Sequence, residues 1–209
     1  MANVIMSANI PAFRVLHRIY GLLDEVNADC AEEMKINFWI AGGCVSDLAR
    51  GKRFNDIDVF SPRPQDLVEQ LSNTHHKPYF EIPGSISNFR IGGCKVQVIT
   101  GYQPQNEDAC IDLFDFTAAC GVYSHKQFVC HERFWQDNAT RRLVINNLPK
   151  PLSTLDRMMK YCRKGFKHCP VGLSRVIKAI SEEKIDWSNP SQNTIDFYPD
   201  GTPKFVGID

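Results

Sequence analysis

The sequence predicts an α/β (α+β) fold: a mixed sheet flanked by helices, followed by a helical C-terminal part. Three observations predict it. Between Phe38 and Phe60 an apolar strand, a Gly42-Gly43 turn, a short helix and a second strand follow one another. Short β-prone pieces around Gly92-Gly93, and others running to Cys130, then extend the sheet. From His131 onward helical patterning takes over, punctuated by Pro149 and Pro151.

Taken in order, the first element is an amphipathic helix from Pro11 to about Asp29. Phe13, Leu16, Ile19, Tyr20, Leu23 and Val26 recur at helical spacing, with Arg14, Arg18, Asp24 and Glu25 largely between them. Strand one is Asn37 to Ala41, and the glycine turn and short helix follow. Strand two is Asp56 to Phe60, ended by Ser61-Pro62. A proline-started helix then runs to about Leu71. His75-His76 reads as a solvated polar turn. Strand pieces come next at Tyr79 to Ile82, Ser85 to Ile91 and Lys95 to Thr100, with Gly92-Gly93 as a hairpin turn. A polar loop from Gly101 to Asp108 precedes Ala109 to Val122, which reads as apolar and β-prone around Asp115. A helix from Ser153 to about Lys164 has Ser153 as N-cap and Gly165 beyond its last turn. A second helix spans about Val171 to Lys184, and the tail from Ser188 reads as irregular. This gives residues 1–130 as head, 131–187 as helical part and 188–209 as tail.

Composition excludes several classes. The 209 residues hold 24 Lys and Arg against 24 Asp and Glu, so no global field draws the chain to nucleic acid, and any such contact rests on a local patch. No apolar run approaches a membrane span and Met1-Ala2-Asn3 does not lead a signal peptide, so a cytoplasmic location with no membrane partner is expected. Eight cysteines without a Cys-x-x-Cys pair read as free thiols in a reducing compartment.

The chemistry concentrates at Asp56 and Asp58. Strand alternation puts both on one face while Ile57 and Val59 point the other way. Adjacent carboxylates repel each other, and a cation between them removes that cost. Hard oxygen ligands on a strand suit Mg²⁺, which binds through one or two carboxylates plus substrate phosphates. Upstream, Gly42 and Gly43 open a helix whose first backbone N–H groups can receive an anion. Asp47, inside that helix, reads as a residue steadying the turn by hydrogen bond or ion pair. An anion cradle followed by an Asp pair is the layout of a phosphoryl-transfer site.

This block, FWIAGGCVSDLARGKRFNDIDVF, resembles the nucleotidyltransferase superfamily, in particular the head domain of tRNA nucleotidyltransferases and poly(A) polymerases. Gly42, Gly43, Asp47, Gly51, Asp56 and Asp58 fall in matching places, while Ser46 stands where the family usually has Arg. The resemblance implies a nucleotidyltransferase-type sheet, Mg²⁺ or Mn²⁺ as cofactor, and an NTP substrate, with ATP or CTP first. It implies transfer of NMP to a hydroxyl acceptor with pyrophosphate release, an RNA 3′ end being the first acceptor. Gly42, Gly43 and Ser46 would embrace the phosphates.

The resemblance also implies two metal ions and a third carboxylate to hold them. Gln97 stands where many tRNA nucleotidyltransferases carry that acid on a neighbouring strand, and it cannot supply a charge. Asp115, between Phe114 and Phe116, is the first candidate for a third metal ligand and Asp112 the second; the alternative is that Asp115 caps a turn or pairs with an arginine. Leu113-Phe114-Asp115-Phe116-Thr117 is similar to the family's Arg-Arg-Asp-Phe-Thr segment with both arginines gone. Ser153-Thr154-Leu155-Asp156-Arg157 does not reproduce the family's Glu-Asp-x-x-Arg base-selecting motif. The chain is also short of the family's long tRNA-holding body, so a minimal enzyme with altered nucleotide choice is expected in place of CCA addition. Arg157, Lys160 and Lys164 share a helical face beside Tyr161, and Arg157 and Lys160 are the candidates for nucleotide or phosphate contact. Two other functional readings stand beside the enzyme: a nucleotide- or partner-binding module without catalysis, and a toxin-like nucleotidylating enzyme. Oligomeric state is not readable.

Overall fold

The computed structural model describes residues 3–28, 30–31, 35–74, 77–182, 195–197 and 203–205. Its centre is an eight-stranded mixed sheet. The chain enters at β1 (Asn3–Ser7), passes through α1 (Arg14–Asp24), and reaches β2 (Trp39–Ala41), α2 (Gly43–Ala49) and β3 (Asp56–Phe60). Then come α3 (Pro64–Asn73), β4 (Phe80–Ile82), β5 (Ile86–Ile91), β6 (Cys94–Ile99) and α4 (Glu107–Ile111). β7 (Gly121–Tyr123), β8 (Gln127–His131) and α5 (Phe134–Thr140) complete the sheet and its surround. The C-terminal part holds β9 (Arg142–Leu143), α6 (Pro151–Arg163), β10 (Lys167–His168) and α7 (Pro170–Glu182). Last come β11 (Ile195–Phe197) and β12 (Pro203–Phe205).

Sheet order is β1-β8-β7-β2-β3-β6-β5-β4. Only β3 and β6 run parallel within it, and the excursion through α3, β4 and β5 makes that pairing possible. The α/β class with flanking helices is as the sequence predicts. One face of the sheet is covered by α1 and α3, where Leu16, Ile19, Leu23, Leu67 and Leu71 pack on Ile57, Val59, Val96 and Val98. Because side chains alternate, Trp39, Ala41, Phe60 and Ile99 lie on the other face, packed with Cys110 and Ile111 of α4. Asp56 and Asp58 share this second face with Phe60. A third cluster joins Phe116 and Ala118 to Met158 of α6 and Val176 of α7.

Four departures from the sequence reading have physical causes. β1 was not expected; it forms because β8 offers it a five-residue antiparallel ladder, and its outer edge leaves Ile5 exposed. The stretch 109–122 is not one strand but α4, a 3₁₀ turn at Thr117–Ala119 and only then β7. Asn106 starts α4 by accepting the Ala109 N–H at 2.8 Å, so this apolar run is a buried helix end. α6 begins at Pro151 with Lys150 as N-cap, two residues before Ser153, because proline takes the first helical position. In the tail, β11 and β12 pair as an antiparallel ribbon, where irregular structure was expected. His75-His76, Asp29, Lys184 and most of the tail lie outside the described residues. Gly165 does follow α6 with φ +87°, as a helix-ending glycine should.

Candidate functional site

β3 supplies the acids, and the turn after β2 is shaped around them. Ala41 on β2 pairs with Asp58, and the chain then turns at Gly42 with φ +85°. A Cβ at Gly42 would stand 2.9 Å from Asp58 Oδ2, so this position has no room for a side chain as well as a backbone angle that favours glycine. Asp58 is 1 % exposed. Its charge reaches the neighbouring Cys44, whose thiol is pushed well up, first by burial and then by Asp58. Asp56, nearer the surface, receives the Lys95 ammonium at 3.3 Å.

On the far side of Asp58, the parallel ladder sets Gln97 of β6. Gln97 donates its amide to Asn88 Oδ1 at 2.8 Å. The position that the resemblance assigns to a third acid is therefore a neutral amide tied into the sheet.

A cleft of about 440 Å³ opens beside these groups. Its head wall includes Gly42, Gly43, Cys44 and Asp56; its aromatic lining includes Tyr102, Phe114 and Tyr161; and its basic wall is Arg157, Lys160, Arg163 and Lys164 from α6 and the turn after it. Six of the eight expected residues thus line one cavity, and Asp58 lies directly behind Gly42.

Ser46 is the exception and is a correction. It is 1 % exposed, and its hydroxyl donates to Asn138 Oδ1 at 2.8 Å. Asn138 in turn donates to the carbonyls of Ala118 and Phe134, so the site expected to touch phosphate is an interior bolt between α2 and α5.

Asp115 is also corrected in its surroundings. It sits in a loop next to the isolated Phe116–Ile145 bridge, and the Arg157 guanidinium grips both its oxygens, one through Nε and the other from Nη2 at 3.1 Å. With Asp115 2 % and Arg157 18 % exposed at the side chain, this is a mostly buried bidentate pair. Among the described residues no group of three or more His, Cys, Asp or Glu side chains is placed to hold a metal ion. Asp115 is paired with an arginine, the alternative that the sequence leaves open beside a metal role. Asp112 lines a separate polar cavity with Asn3, Asp108 and His131.

Two supports escaped the sequence reading. Lys164 reaches from beyond α6 to Asp47 Oδ2 at 3.3 Å, and Arg50 pairs with the other oxygen of the same carboxylate. Asp47 thus steadies the turn and also ties it to α6. Asp137, fully buried, holds Arg133 and the Thr117 hydroxyl. The Tyr161 hydroxyl is pushed up, mainly by burial and next by the Asp47 charge.

Comparison with known proteins places this geometry. A family model described as Gad2, Gabija anti-defense 2 family protein, matches residues 15–141. The curated Gabija anti-defense 2 of Bacillus phage SPbetaL7 is 26% identical over 159 residues, covering 72% of this chain and 38% of the relative. Among solved structures, the Thermotoga maritima CCA-adding enzyme complexed with tRNA is similar at TM-score 0.64 and 14% identity, over 87% of this chain and 47% of that one. A CCA-adding enzyme with CTP is similar at 0.63 and 16%, over 87% and 47%. A tRNA nucleotidyltransferase with a primer tRNA and an ATP analogue is similar at 0.55 and 18%, over 72% and 48%. The chain spans well under two thirds of each of these relatives. At such identities the structural likeness establishes a nucleotidyltransferase-type fold.

Proposed function

The chain belongs to the Gabija anti-defense 2 family, and on that premise we propose that it is a metal-dependent nucleotidyltransferase serving to counter the Gabija defence. It moves a nucleoside monophosphate from an NTP to a hydroxyl acceptor: the acceptor oxygen bonds to the α-phosphorus, the α–β phosphoanhydride bond breaks, and pyrophosphate leaves. The hydroxyl proton passes to solvent. The observation that carries this reading is Asp56 and Asp58 on one sheet face, packed against a glycine turn that has no room for a Cβ, at the mouth of a cleft with a basic wall.

The donor set fits a hard divalent cation such as Mg²⁺ or Mn²⁺: two carboxylates on one rigid strand, one buried and one nearer the surface, with a glycine cleared beside them. Asp56 and Asp58 would hold it. When bound, such a cation polarises the phosphoryl oxygens and acidifies the attacking hydroxyl. The chain's own residues do the rest. Gly42 and Gly43 let the triphosphate approach the backbone, and Arg157, Lys160 and Lys164 neutralise it. Tyr102, Phe114 and Tyr161 offer rings against which a base can pack. ATP and CTP are the first substrates to try, since solved relatives are described with ATP and CTP.

An RNA 3′ hydroxyl is the first acceptor, supported by fold relatives described in complex with tRNA. The family's anti-defense name favours a second acceptor, a side-chain hydroxyl of a defence protein. The compartment proposed is the cytoplasm, consistent with eight free cysteines. Each α-labelled NTP incubated with Mg²⁺ or Mn²⁺ and either total RNA or cell protein tests all of this. Label transferred by the native chain and lost in Asp56→Ala, Asp58→Ala carries the proposal. Mg²⁺-independent nucleotide binding with no pyrophosphate released would instead establish a binding module, a reading that Gln97 favours.

A further inference from the structure

The parallel pairing of β3 with β6 sets Asp56 beside Lys95 and Asp58 beside Gln97, all four on the cleft-side face of the sheet. In a parallel ladder the residues paired in register project together, as Ile57 with Val96 and Val59 with Val98 do on the opposite, fully buried face. The result is a square of side chains with two carboxylates, one ammonium and one amide, and a net charge of −1. The Lys95 Nζ lies 3.3 Å from Asp56 Oδ2. Gln97 is held out of any charge role by its bond to Asn88. Of the other acids on the cleft wall, Asp115 is neutralised by both arms of Arg157 and Asp47 by Arg50 and Lys164.

Before nucleotide arrives, two divalent cations set four positive charges against a net −1 from these side chains, whereas a single cation sets two. The Lys95 ammonium already answers Asp56, and neither Gln97 nor the Arg157-bound Asp115 offers a free charge to a second ion. We propose that Lys95 stands in for one of two metal ions at this site, so that the nucleotide-free chain binds a single divalent cation between Asp56 and Asp58. Lys95 is a positioning residue: it holds the Asp56 carboxylate by charge and weakens that carboxylate's hold on a second cation. Being 38% exposed at the side chain, it can be changed without opening the core. This inference rests on the nucleotidyltransferase reading.

The test is titration of the chain with Mn²⁺ alone, with unbound Mn²⁺ read by electron paramagnetic resonance and folding checked by circular dichroism. The native chain is expected to bind one Mn²⁺, lost in Asp56→Asn, Asp58→Asn. Lys95→Met is expected to bind the first ion about tenfold tighter, as removal of a like charge a few ångströms away predicts, and to acquire a second. Lys95→Arg restores the native stoichiometry, which a purely steric role for the side chain would not do. Two Mn²⁺ on the native chain, or unchanged binding in Lys95→Met, overturns this inference and leaves the enzyme reading standing. No Mn²⁺ that depends on Asp56 and Asp58 overturns both.

Discussion

The two walls of the cleft are built on opposite plans. The head wall sets two acids of like sign on adjacent same-face positions of β3 and clears a glycine beside them; Lys95 answers one of the charges. In the α6 wall three of the four cations are already answered: Arg157 by Asp115, Lys164 by Asp47 and Lys160 by Asp156 at 3.5 Å. The first arrangement stores repulsion that a bound cation relieves. The second stores attraction, so an arriving phosphate must share its cations with resident carboxylates. The difference teaches which wall is proposed to work and which wall holds: the proposal puts the chemistry on the acids, and the Arg157–Asp115 and Lys164–Asp47 pairs fasten α6 to the head.

The sharpest way to break that contrast is Asp58→Asn. NMP transfer is expected to fall by about a thousandfold, the several kcal/mol that a Lewis-acidic cation supplies. The melting temperature is expected to hold or rise, because one of two like charges has gone. A matching fall in stability would put Asp58 on the holding side.

Arg157→Met should do the reverse. It leaves the buried Asp115 carboxylate uncompensated and is expected to cost about 3 kcal/mol in urea unfolding. Asp115→Asn in the same background should recover most of it. Were Asp115 instead a metal ligand, Asp115→Asn alone would abolish transfer as fully as Asp58→Asn; a much smaller loss is expected.

Gly42→Ala joins both properties. The new methyl meets Asp58 Oδ2 and the φ of +85° disfavours alanine, so a stability loss of about 2 kcal/mol is expected. The smallest effect belongs to Ser46→Ala. It removes one buried hydrogen bond to Asn138, worth about 1 kcal/mol, and NTP affinity by calorimetry should stay the same.

The sequence made the head wall legible because its signals are local. Strand, turn, helix and strand fit within Phe38 to Phe60, and alternation alone fixes which face the acids share. The holding wall was not legible in the same way. Asp115 and Arg157 are 42 residues apart, and Asp47 and Lys164 are 117 apart, and no pattern announces such pairs. Residue type picked out cations that line the cleft, without their partners. Ser46 misled because a hydroxyl near a glycine turn suits a phosphate equally well, and only Asn138, 92 positions on, draws it inward. The 109–122 stretch misled differently: a short apolar run has no decisive period, although Asn106 followed by Glu107 and Asp108 was an available helix-start signal. β1 escaped because its order comes from β8 and not from its own pattern.

Gly42 and Asp58 also have linked futures. The missing Cβ at one position is the space that the carboxylate of the other occupies, so a side chain gained at position 42 presses on the acid. The dependence runs one way: loss of the acid removes that clash and leaves the φ of +85°, so the turn keeps its own reason to stay glycine. In descendants of this chain, a side chain at position 42 therefore records an acid displaced at position 58, while a glycine there records nothing about it.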